Sequence, residues 1–162
     1  MALVIRVPAS AQDVTEAVLK AAFIYNFAQF TDWPIDAVPV AKPFVLCVLG
    51  DDAVGGALVR VVKARQIGGH DVSVSIVATA PARECQVLYL SRVSADQAAN
   101  FVAIVQDAPV LTISDVEGFT NMGGIAQFYF EHGRLRFMIR LRSAKQARLQ
   151  ISSRLLALAK LD

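Results

Sequence analysis

The chain of 162 residues is short of several things: it holds two cysteines, two histidines, one tryptophan and only 19% charged residues. Each shortage excludes something. With 55% hydrophobic residues and a mean hydropathy of +0.47, the chain is too apolar and too sparsely charged to stay disordered. Its longest uncharged apolar stretch, residues 21–31, falls well short of the roughly 18 needed to span a bilayer. Zinc-site spacing is missing, because there is no C-x-x-C and His70 and His132 lie far from each other and from either cysteine. Neither G-x-G-x-x-G nor G-K-[ST] occurs. The length fits one domain with one large core.

What is present begins with the amino terminus. Ala9-Ser10-Ala11 has the small-x-small form of a secretory cleavage site, but only the short apolar segment 1–8 precedes it. Residues 1–11 therefore read as the remnant of a signal peptide or a non-native amino terminus, and residues 12–162 as a single domain. In an exported domain, Cys47 and Cys85 would pair across 38 residues. In a reducing compartment they would be two buried thiols acting as small hydrophobes.

Asp13 and Glu16 give a capping-type start to a first helix, with Val14, Ala17, Val18, Ala21, Tyr25 and Ala28 at helical spacing. A second stripe of Phe23, Phe27 and Phe30 makes the helix apolar nearly all round, which marks it as buried or at an interface. Continuous apolar runs at 44–49, 86–90 and 109–113 read as strands buried on both faces, and 72–77 as an alternating one. Helices are expected from Asp51-Asp52 to about Lys63 and from Ser94 to about Gln106. Strand and helix alternate, so the fold class is α/β: a mainly parallel central sheet flanked by helices. Runs at 125–130 and 135–141 around His132-Gly133 predict a β-hairpin. A capping box at Ser143 and Gln146, followed by Ala144, Ala147, Ile151, Leu155 and Leu158, predicts a closing amphipathic helix.

Chemistry is sparse. The two acids after Gly50 would repel a phosphate while capping the helix themselves. His70 beside Asp71 reads as a strand-edge residue, His132 as a turn residue, and Ser152-Ser153 lies mid-helix without nucleophile-elbow glycines. Gly118, Gly123 and Gly124 shape a loop and leave room beside it for a ligand cavity. Net charge is +2, yet residues 1–132 carry 8 basic against 13 acidic side chains and residues 133–162 carry 8 against 1. Arg134, Arg136, Arg140, Arg142, Lys145 and Arg148 form that basic end, which hints at an anionic partner. No aromatic platform or motif points to nucleic acid. A binding or interaction role is favoured over catalysis, with no cofactor or metal expected.

Several segments carry a resemblance: Lys20-Ala-Ala-Phe-Ile-Tyr-Asn-Phe-Ala-Gln-Phe-Thr-Asp-Trp-Pro34, Phe44-Val-Leu-Cys-Val-Leu-Gly-Asp-Asp52, Pro109-Val-Leu-Thr-Ile-Ser-Asp115 with Gly118-Phe119 and Gly123-Gly124-Ile125, and Leu149-Gln-Ile-Ser-Ser-Arg-Leu-Leu-Ala-Leu-Ala159. Over about residues 13–160 the chain resembles the YfiR-like family of periplasmic repressors of membrane diguanylate cyclases. The resemblance implies a periplasmic protein that binds the sensor domain of an inner-membrane cyclase and restrains cyclic di-GMP synthesis, and with it biofilm formation. It further implies a homodimer, an outer-membrane lipoprotein partner, and redox sensitivity through disulfides, with cysteines near Cys47 and Cys85. On this reading a Cys47–Cys85 bridge would tie a central strand to the segment before a later one. Phe23, Phe27, Phe30, Arg140 and Arg148 are expected at the partner or dimer surface. The other reading is a small-molecule-sensing module of another signalling system, its pocket beside residues 118–124. Two departures stand out: Met138 and Arg140 replace a usual acid and amide, and Arg148 stands where glycine is common.

Overall fold

The computed structural model describes residues 10–76 and 82–162. The first helix, α1, spans Ser10–Gln29 and precedes a two-residue strand β1 (Thr31–Asp32). Next come β2 (Phe44–Leu49), α2 (Asp52–Val62), β3 (Gln66–Ile67), β4 (His70–Ile76), β5 (Val87–Leu90), α3 (Ala95–Val105) and β6 (Leu111–Ser114). The chain closes with the hairpin β7 (Ala126–Glu131) and β8 (Arg134–Ile139), α4 (Leu141–Gln146), β9 (Gln150–Ile151), α5 (Ser153–Leu156) and β10 (Lys160–Leu161).

Eight strands form one sheet in the order β10-β8-β7-β6-β5-β2-β4-β3, parallel from β4 through β7. The α/β class with a mainly parallel, helix-flanked sheet is therefore observed. The hairpin turns through His132 and Gly133, both with positive φ (51° and 72°), the geometry of a two-residue turn matched to strand twist. Alternate residues of each buried strand serve two cores. Leu46, Val48, Val87, Tyr89, Leu111 and Ile113 face α1 and α2. Cys47, Leu49, Leu88 and Leu90 face α3 and Phe119. The β2 and β5 runs are apolar throughout because both faces are covered, whereas β6 buries Thr112 and Ser114 between its apolar residues.

Local capping matches the sequence in two places. Asp51 accepts from Val54 N at 3.1 Å to start α2, so the acid does serve its own helix. Ser94 and Gln97 form a reciprocal capping box on α3.

Several expectations are corrected. Helix α1 begins at Ser10, upstream of the expected start at Asp13, and the 1–11 remnant lies mostly outside the described residues, as does Val77 of the expected 72–77 strand. The closing amphipathic helix is not continuous. Arg148 takes a left-handed conformation (φ 60°), and Leu149 N–H turns back to Ala144 O at 3.0 Å, ending α4. The freed chain then pairs antiparallel with β1, Thr31 opposite Ile151. A tertiary strand pair thus overrides helical periodicity. Helix α4 starts at Arg140 rather than through a Ser143–Gln146 capping box. Ser152 is the N-cap of α5 rather than mid-helix. Leu158, placed on the buried stripe by its spacing, is 68% exposed.

Candidate functional site

In open parallel sheets, ligands favour the crevice outside the carboxyl ends of strands where the winding reverses. Here that point lies between β2, which leads outward to β4, and β5, which leads the other way to β6. Gly50 turns the chain there with φ +85°, its backbone against Ser91 O, an approach only glycine permits. The crevice is filled by the chain's own charges. Lys20 of α1, 4% exposed, reaches over the strand ends with its Nζ 2.7 Å from Glu16 Oε1 and 2.9 Å from Asp115 Oδ2. The same Asp115 Oδ2 accepts from Ser91 Oγ at 2.8 Å and from Tyr89 OH at 3.4 Å.

Three elements therefore meet at one carboxylate: α1, the end of β5 and the end of β6. Burial works against the charged amine of Lys20, but its hydrogen bonds to Glu16 and Asp115 and their negative charge outweigh it and raise its pKa. Burial, then the Asp115 charge, pushes the Tyr89 phenol upward, so Tyr89 stays a neutral donor. The lysine is thus a fixed cation satisfied by two carboxylates rather than an activated base or nucleophile. No local pattern announces this cluster, because Lys20 and Asp115 are 95 positions apart and neither lies in a spaced catalytic motif.

Beyond Asp115 the hairpin runs on. Pairing of β6 with β7 stops at Ser114 opposite Gln127, whereas β7 and β8 continue to Glu131 opposite Arg134. The overhang and α1 enclose a crevice of about 510 Å³ lined by Lys20, Asp115, Phe128, Phe130, Met138 and Lys160. Phe130 of the hairpin, one of its lining residues, is 52% exposed, and α1 exposes Val14, Val18 and Leu19 (58%, 45% and 40%).

The expected surface residues divide. Phe27 is 0% exposed, packed edge-on against Phe137 at 4.9 Å and Phe128 at 6.1 Å, so it belongs to the core and not to a surface. Phe23 also contacts Phe137 at 5.7 Å and Phe128 at 6.1 Å and, with Phe30, is only partly buried. A ring at helical spacing faces whichever neighbour is apolar, and here that neighbour is the hairpin. Arg140 is half-buried and donates to Thr120 O at 2.7 Å, which ties the hairpin to the glycine loop. Arg148 is exposed, 3.7 Å from Asp36. With Arg140 used internally and Arg134 and Arg136 out on β8, the basic residues form no single phosphate site at a helix start.

Cys47 and Cys85 are joined in a disulfide with Cα atoms 5.9 Å apart, linking β2 to the turn before β5. Both are buried in the α3-side core. Gln86 next to the bridge binds Val45 N at 2.6 Å through its side chain and Ala37 O at 3.1 Å, continuing the same staple. Of the loop glycines, Gly123 lines a second cleft of about 140 Å³ with Val102, Val110, Thr112 and Met122, and Gln146 Nε2 donates to Asp107 Oδ1 across its rim. Gly124 gives way to the Phe119 ring, and Gly118 stands in open space with φ +78°. His70 Nδ1 lies 2.8 Å from Lys42 O at the sheet edge, and His132 is exposed in its turn. Among the described residues no three metal-ligating side chains cluster, and no helix is long and apolar enough to cross a membrane.

No curated protein matches the chain. A family model described as YfiR/HmsC-like matches residues 17–160, from the second turn of α1 to β10, so it takes in Lys20, Asp115, the disulfide and the hairpin. That span includes every element of the sheet, and the chain belongs to the YfiR/HmsC-like family.

Proposed function

We propose that this protein is a periplasmic signalling repressor that binds the periplasmic sensor domain of an inner-membrane diguanylate cyclase and holds cyclic di-GMP synthesis down. Family membership across residues 17–160 is the observation that carries the reading. The role is regulatory rather than catalytic, and the strand-end crevice fits it: its lysine is held by two carboxylates and presents no activated group. The disulfide supports a redox-responsive form of the protein in an oxidising compartment. An outer-membrane lipoprotein that sequesters the repressor, and a homodimer as its working form, complete this reading. Residues 12–162 act as one domain within it.

The partner surface is assigned to exposed apolar side chains of α1, Val14 and Val18 one turn apart with Leu19, and to Phe130 at the crevice. Large apolar side chains left exposed in neighbouring positions, as Val14 and Val18 are, mark contact sites. Capture of the cyclase from solubilised inner membranes, followed by cyclic di-GMP synthesis with and without this protein, tests the proposal. Repression by the parent chain and its loss in Val18→Arg with Phe130→Arg is the expected result. Full cyclase activity in the presence of the parent chain overturns it. The cleft at Gly123 favours a second reading, a small-molecule sensor, for which a thermal shift by a bound metabolite is the sign.

A further inference from the structure

Beyond β4 the described sheet holds only the two-residue strand β3. Strand β3 covers only His70 and Asp71, Val72 N–H donates to Arg65 O at 3.4 Å, and no described strand pairs with residues 73–76 on that side. Backbone groups alternate sides along a strand, so the Val72 bond places the N–H and C=O of Val74 and Ile76 at the open edge. Residues 73–76 contain no charge and no proline, none of the usual devices that blunt an edge. Ile76 is 48% exposed.

Helix α2 covers β4, and Gly55 leaves the space that the Ile76 side chain fills; a Cβ there would come within 2.7 Å of it. On the solvent side of α2, Asp52, Gly56 and Val59, with Lys63 at the C-cap, recur at helical spacing, and Val59 is 50% exposed. This stripe is complementary to itself run backwards. The offset that sets Asp52 against Lys63 of a second, antiparallel helix also sets Gly56 against Val59, small against large and acid against base.

The strand beneath agrees with that offset. An antiparallel pairing of β4 with its copy centred on Ser75 puts Val74 opposite Ile76 twice, using the edge groups left open and sparing Val72. Gly55 packs on Ile76, and a helix rises about 1.5 Å per residue against about 3.3 Å for a strand. Ser75 is then level with about residue 57 of α2, the midpoint of both helix pairs.

We infer that the β4 edge and the outer stripe of α2 form a two-fold interface with a second copy of this chain, joining two sheets edge to edge. Such a contact is isologous and closes on itself. It names the surface for the homodimer of the reading above but rests on nothing about the cyclase. Failure of one is therefore distinguishable from failure of the other.

The test is sedimentation velocity of the full chain from about 1 to 200 µM, with amide hydrogen exchange at both ends of that range. A reversible dimer is expected, with the Val74 and Ile76 amides protected only at high concentration. Asp52→Lys and Lys63→Asp should each weaken it about tenfold, and the two together should restore it to within about threefold. A monomer throughout overturns the inference. So does a dimer that both single variants leave unchanged, or one in which exchange at Val74 and Ile76 does not respond to concentration.

Discussion

Lys20 Nζ and Asp115 Oδ2 lie 2.9 Å apart although 95 positions separate them, so one ion pair fastens α1 to the carboxyl end of β6. The two partners are not equivalent. Lys20 is almost fully buried and keeps Glu16 as a second partner, whereas Asp115 also holds Ser91 and Tyr89. Asp115→Ala leaves a buried ammonium and two hydroxyls short of an acceptor and should cost about 2–4 kcal/mol. Lys20→Met removes the buried charge, leaves Asp115 its hydroxyl donors and should cost less. Urea denaturation of the two variants gives the order; equal losses would contradict it.

The same cluster fixes a pH dependence. Lys20 holds its proton more tightly folded than unfolded, so its contribution is complete below the unfolded pKa and disappears as pH rises through the folded one. Tyr89 acts with the same sign, because ionising a buried phenol beside Asp115 is unfavourable. Unfolding free energy should therefore show no loss from these two groups between neutrality and about pH 10, and then fall. In Lys20→Met the alkaline fall should be shallower, with only the Tyr89 part remaining.

Much of this fold is legible in the sequence because its signals are local. The apolar runs of β2, β5 and β6, the helix start at Ser94 and the His132-Gly133 turn each need only a few neighbouring residues. What the sequence hides depends on distant partners. The spacing of Ala144, Ala147, Ile151 and Leu155 is helical, and those side chains are buried, yet Ile151 reaches the core as a strand residue because β1 offers it a ladder. Phe27 likewise looks like a candidate surface ring until the hairpin phenylalanines arrive to cover it. The Lys20 cluster is invisible for the same reason: three elements meet there, and only the Glu16–Lys20 pair is local.

The disulfide gives the next prediction. Cys47 and Cys85 close a loop of 38 residues between a central strand and its neighbour, inside the α3-side core. Opening it should cost about 2–5 kcal/mol and lower the melting temperature. The Cys47→Ala, Cys85→Ala double variant should melt at the temperature of the reduced parent chain and should not respond to reductant. An unchanged melting temperature on reduction would show that the bridge adds no stability.

Three glycines should rank by what surrounds them. At Gly50 a Cβ would collide with the Ser91 carbonyl and φ is +85°, so alanine there should cost about 3 kcal/mol or more. At Gly124 a Cβ would strike the fully buried Phe119 ring, for about 1–3 kcal/mol. At Gly118 only φ +78° opposes the change, for about 1 kcal/mol. Chemical denaturation of the three alanine variants should return that order.

Arg148 offers the reverse case, a substitution that improves the chain. It holds a left-handed φ of 60° where α4 must end, and its exposed contact with Asp36 at 3.7 Å contributes little. Glycine adopts this conformation without the clash of a Cβ, a relief of about 1–2 kcal/mol that is partly offset by its greater freedom when unfolded. Arg148→Gly should therefore be neutral to stabilising by up to about 1 kcal/mol. Arg148→Val, whose branched side chain tolerates positive φ poorly, should destabilise by more than that. A loss on changing to glycine, measured by denaturation at 25 °C, would mean that the arginine side chain and not the backbone bend holds this corner together.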